Sequence, residues 1–237
     1  PVLPIVFRTQ SRDTLKRAES PLELLRYIVF KRGMLASGGV EGFAFTQIHS
    51  GPAAAPDLEL LFLPFDARRE FLEPPQEDAF VLAPVVVAPR SRGRLTLRSP
   101  DPLVPPAIDP RLLSDPEGID RSVLWDGVGL SRRSAATSPL GEWNSGELHP
   151  GAFVQSESEL LHYASDTLQT VYHPTSTCRM GSDARSVVDP QLRVRGIGGL
   201  WIADASVMPA VPRGHPNAVV AMIAERAAGW IAQAIDA

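Results

Sequence analysis

The chain has 237 residues, 44% hydrophobic and 21% charged, with four Trp, nine Phe and three Tyr, a composition that excludes disordered and fibrous classes. Its single cysteine, Cys178, excludes an internal disulfide framework and any multi-thiolate metal or iron–sulfur cluster built from this chain alone, and leaves the compartment open. With 23 basic against 27 acidic residues, the net charge is -4 and no stretch gathers the positive charge a phosphate backbone needs, so nucleic acid is not an expected partner.

The chain begins Pro1-Val2-Leu3-Pro4, without an initiator Met and without the charged start and apolar core of a signal peptide, and reads as a piece of something longer. Ser20, Pro21 and Glu23 make a capping box with proline at the first helical position, and Leu24, Leu25, Ile28 and Val29 follow at helical spacing. This pattern predicts a helix over 21–32, closed by Gly33. Runs 43–49, 58–65 and 80–88 read as strands. Ser91-Arg92-Gly93 is expected to turn the last of these back into 94–98 as a hairpin. Five prolines in 100–110 predict a stiff connection without regular structure.

Capping patterns at Ser114-Asp115-Pro116-Glu117 and Ser156-Glu157-Ser158-Glu159 predict helices to about 134 and 170. Between them, 139–154 reads as an ordered loop rich in Gly, Pro and Trp. Segments 192–195 and 200–203 read as short strands around a glycine turn at 196–199. Pro216-Asn217 then introduces an apolar helix over 218–235, with Asn217 as its cap. The most apolar stretches, 80–88 and 218–224, fall far short of the roughly 18 residues a membrane-spanning helix requires, so no span is expected. A short strand, an Asp-bearing loop and a helix N-terminus are the parts of a nucleotide or flavin site, because open α/β sheets bind ligands where strands end and helix dipoles begin.

Two histidines, His173 and His215, each precede a proline. Proline bars helical continuation, which suits an imidazole aimed from a loop. One imidazole can accept a hydroxyl proton while a second holds the oxygen. Two histidines without a third ligand make an incomplete metal site, so no metal is expected. His49, His149 and His162 read as solvated or satisfied residues, and Arg132 with Arg133 as a solvated helix face. The four tryptophans read as core, with Trp143 the best candidate to line a pocket.

The ordered matches His173 to Gly181, Val188-Asp189-Pro190, Leu192-Arg193-Val194, Gly196 to Leu200, Ala203 to Pro209, Pro216-Asn217 and Ala224-Glu225-Arg226-Ala227-Ala228 resemble the carboxy-terminal signature of the glucose-methanol-choline (GMC) oxidoreductases, which are FAD enzymes. Upstream, 33–45 and 80–98 fit that family's substrate domain in outline. The resemblance implies an α+β fragment: an antiparallel sheet with helices forming a substrate-binding domain over 1–190. Residues 191–237 then contribute the C-terminal strand and helix of an α/β FAD-binding domain whose Rossmann part is missing from the chain.

The resemblance also implies roles. His173 and His215 match the catalytic pair beside the flavin ring. Asp204 and Ala205 match the segment approaching the ribityl and pyrophosphate, while His215, Pro216, Asn217 and Ala218 match the helix start facing the pyrimidine edge. No Gly-x-Gly-x-x-Gly cradle follows a strand here; Gly196 to Gly199 precedes one and reads as a turn. An amino-terminal half carrying that motif is therefore an implied partner, as a nicked or separate chain. The implied activity is FAD-dependent oxidation of a small alcohol to an aldehyde or ketone, with hydride passing to flavin N5. A hydroxynitrile-lyase-like enzyme of the same family and a non-catalytic module are the alternatives. Cys178 and Arg179 read as packing residues within the matched motif.

Overall fold

The computed structural model describes residues 1–18, 20–49, 55–68 and 76–235. They divide into two compact units, one made of Pro1–Val86 and Pro116–Val171, the other of Val87–Asp115 and Tyr172–Ala237.

Five antiparallel strands organise the first unit: β1 (Ile5–Thr9), β2 (Gly42–Thr46), β3 (Leu58–Leu63), β4 (Ala79–Val86) and β7 (Asn144–His149), in the order β2-β3-β4-β1-β7. Strand β4 is buried at every position because β3 and β1 flank it, with Leu60 opposite Pro84 and Phe7 opposite Phe80. A strand covered on both faces reads as an unbroken apolar run, which is why 80–88 was legible as a strand. Helix α2 (Ile119–Ala136) lies on this sheet through Val123, Leu124, Gly127, Val128 and Ser131, an i, i+4 stripe. Gly127 allows the approach: a Cβ there would stand 2.6 Å from Pro84 Cβ. Helix α1 (Pro21–Phe30) begins at Ser20, whose side chain accepts from Glu23 N, and ends on Lys31 in the left-handed conformation. Helix α3 (Glu157–Thr167) opens with the expected capping box, the Ser156 side chain accepting from Glu159 N while Glu159 accepts from Ser156 N.

Several expectations are corrected. Residues 80–98 form no hairpin, since both edges of β4 are occupied. Instead β5 (Arg94–Thr96) pairs with β6 (Ala107–Asp109) in the second unit. Gly93 permits that pairing, because a Cβ there would meet Asp109 O at 2.4 Å. The proline-rich connection thus contains a strand, its prolines lying outside Ala107–Asp109. The loop over 139–154 contains β7, paired with β1 through two register shifts. Strand β1 itself had no alternating signature, being buried at four of five positions. Helix α2 starts at Ile119, after Gly118 in the left-handed conformation, so the capping pattern at Ser114 lies outside it.

In the second unit, 192–195 and 200–203 make only isolated bridges, Val188 with Val194 and Arg193 with Trp201; one bridge each builds no ladder. Helix α4 (Asn217–Ile235) includes Asn217 as its first residue. Its 19 residues are long and apolar enough to cross a bilayer by length and composition, because the Ala, Val and Ile pattern resumes after Glu225 and Arg226; the expectation that no segment reaches that length is corrected. Ile223 and Ala227 of α4 pack with Val188, Leu192, Val207 and Met208 in the core of this unit. The unit holding α4 begins its second stretch at Tyr172 and not at the expected 191.

Candidate active site

Within the second unit, that core carries two loop segments. Cys178 N donates to Ser206 O at 3.0 Å and Met180 N to Val207 O at 2.7 Å, which fixes the strip after His173 against the loop after Asp204. Further along, Arg179 forks onto Asp183 at 2.9 and 2.7 Å, Arg193 reaches Asp189 at 2.8 Å, and Arg195 reaches Gly181 O at 2.7 Å. These clips hold irregular backbone that has no ladder of its own. Arg179 is thus a structural clip, and it keeps the Asp183 carboxyl well below the usual range through that hydrogen bond.

His173 stands between two non-glycine residues in the left-handed region, Tyr172 at φ 59° and Ser176 at φ 72°. Side chains rarely accept that conformation, and it concentrates at functional loops. His215 lies two residues before α4, on exposed backbone, ahead of buried Pro216. The two imidazoles meet edge to face, ring centroids 5.0 Å apart and planes at 89°. Partial burial, and secondarily the proximity of His215, lower the His173 pKa below its ordinary 6.5. His173 is therefore a neutral imidazole at pH 7.

Asp204 is exposed, and its carboxylate accepts from Ser206 N at 2.8 Å, capping the single turn Ala205–Val207. The first hydrogen bond at the start of α4 runs from Val220 N to Pro216 O at 2.8 Å. The amides of Asn217, Ala218 and Val219 precede that bond, so they point out of the helix N-terminus at its positive dipole end. The second unit thus carries His173, His215, Asp204, Ala205 and Pro216, with Asn217 and Ala218 at the start of α4, on segments tied to one core.

Other expectations fare differently. Arg132 is no solvated residue: it forks onto Glu147 at 2.9 Å twice and donates to Val154 O at 2.9 Å, joining α2 to β7 and the following turn. No motif flagged it; an arginine on the apolar side of a helix stripe was the available signal. His49 Nε2 lies 2.6 Å from Asp126. Burial, then Arg68, lower the His149 pKa. Trp143 is half exposed beside β7, and a groove of about 570 Å³ in the first unit is lined by Trp125 instead.

The family model for the GMC oxidoreductases matches residues 89–224, more than half of the chain and including both histidines. The chain belongs to the GMC oxidoreductase family. It is 45% identical over 222 residues to an uncharacterized GMC-type oxidoreductase of Mycobacterium tuberculosis, covering 93% of this chain and 42% of that protein. With the choline oxidase of Arthrobacter globiformis it shares 44% identity over 184 residues, 76% of this chain and 34% of the relative. A formate oxidase structure from Aspergillus oryzae, determined in work on FAD modification, superposes with a TM-score of 0.84 over 97% of this chain and 45% of that one, at 24% identity, which shows a shared fold. The antiparallel sheet with helices is therefore the fold that this chain shares with the formate oxidase over nearly its whole length. The chain spans less than half the length of these relatives.

Proposed function

We propose that this GMC chain supplies the substrate-binding side and the proton-handling residues of an FAD-dependent enzyme that oxidises an alcohol to an aldehyde or ketone. The observation that carries the reading is the perpendicular imidazole pair, 5.0 Å between centroids, beside the amino-terminal amides of α4. That spacing is close enough for one substrate oxygen to touch both rings. His173, kept neutral, is the acceptor of the hydroxyl proton, and His215 the donor that holds the oxygen.

A flavin fits the chemistry of these residues. The outward amides of Asn217 and Ala218 and the positive dipole end favour a ring edge that gains negative charge, and exposed Asp204 with Ala205 lies on the adjoining loop. FAD, when bound, supplies the acceptor for the hydride leaving the alcohol carbon. This chain has no glycine cradle for the pyrophosphate, so an amino-terminal segment bearing one completes the site, and 191–237 is the share this chain adds to it. His173 and His215 orient the alcohol and move its proton; His215 and Pro216 set the mouth of the helix.

Anaerobic mixing of the flavin-loaded, completed enzyme with primary, aryl and sugar alcohols and with choline tests this. Bleaching of the flavin spectrum by at least one class is expected. Turnover without bleaching would replace the reading by the lyase alternative, and absence of bound flavin would remove it.

A further inference from the structure

Helix α1 is built inside out. None of its residues is buried: Leu22, Leu25, Ile28 and Phe30 are 72%, 58%, 58% and 67% exposed, and Leu24 and Val29 are exposed as well. Its most covered side chain is a carboxylate, Glu23, at 15%. Glu23 turns inward to accept from Met34 N at 3.0 Å and from Arg26, and Gly33 leaves no room there for a Cβ. The polar strip of the helix is thus spent on the single turn Met34–Ala36, which itself exposes Leu35.

We infer that α1 is the seat of the amino-terminal, dinucleotide-binding part of this enzyme. The inference rests on the proposed function, in which that part completes the flavin site. Two observations choose this occupant. More than half of each matched relative lies outside the aligned region, 58% in the mycobacterial case, so a large protein body remains to be packed. The apolar and aromatic residues of α1 also run almost round its axis, leaving Glu23 and Arg26 as the charged residues within the helix. An interfacial membrane helix keeps a broad charged face toward water, whereas a helix apolar all round is covered by protein.

Leu25→Cys and Ile28→Cys, made singly, test this by maleimide labelling mapped peptide by peptide, so that Cys178 is scored separately. In the chain alone both thiols react as exposed groups. In the flavin-loaded enzyme completed with its amino-terminal part, labelling should slow by about tenfold or more, because reaction is then limited to open states. Equal rates in the two samples overturn the inference. So does protection that appears only with phosphatidylglycerol vesicles, or that rises with concentration in the chain alone. Alcohol bleaching, read on the same samples, reports separately on the function: protection without bleaching keeps the docking surface and removes the alcohol chemistry, and bleaching without protection does the reverse.

Discussion

The two compact units reach order by opposite means. In the first, long-range β pairing sets the register and side chains fill both faces of β4, so position follows from a ladder and a packed core. In the second, the stretch from Tyr172 to His215 has single bridges, arginine forks and left-handed residues, yet this is where the imidazole pair stands. A ladder fixes backbone that is regular. Aiming two side chains from distant loops requires irregular backbone, held by caps and ion pairs and anchored on the core around Val207 and Ile223.

That contrast can be broken with substitutions in each unit. Leu58, fully buried in β3, should cost about 2–5 kcal/mol as Leu58→Ala, read by urea unfolding, because a cavity opens beneath α2. Gly127→Ala should cost about 1–3 kcal/mol by overpacking α2 onto Pro84 and Leu58. In the irregular strip the sign reverses: Ser176→Gly should be neutral or stabilising by up to about 1 kcal/mol, since glycine accepts φ 72° without steric cost but loosens the unfolded chain. A destabilised Ser176→Gly would mean that the hydroxyl, not the backbone, matters at that position.

The pH response sharpens the same comparison. The folded His173 pKa lies below the unfolded value near 6.5. Stability tied to this group is therefore complete above pH 6.5 and is lost as pH falls through the lower folded value. Thermal melts from pH 7.5 to 5 should show His173→Ala losing less stability on acidification than the parent. An identical slope would show that His173 is not desolvated.

Much of this was legible in the sequence, for identifiable reasons. Local signals survived folding: the capping box at Ser156 operates as read, Ser20 caps α1 although Glu23 turns to Met34 N instead of closing the box, and the apolar run at 80–88 is a buried strand. Long-range partner choice was not legible. Nothing local says that Arg94–Thr96 pairs with Ala107–Asp109 and not with β4, or that the Trp-bearing loop yields an edge strand to β1. The meeting of His173 and His215 was readable because proline-flanked histidines and an ordered motif mark the two loops. The role of Arg132 was hidden, since its partners Glu147 and Val154 arrive from a strand and a turn the sequence did not announce.

The claim everything else leans on is that His173 takes the alcohol proton while His215 holds the oxygen. Stopped-flow reduction of the flavin by a saturating reactive alcohol, in the completed enzyme with and without His173→Ala, tests it most directly. The account predicts a rate lower by about 10² to 10⁴ for His173→Ala, the scale of a lost general base, with the acidic limb of the pH profile flattened. An unchanged rate and an unchanged profile would contradict it.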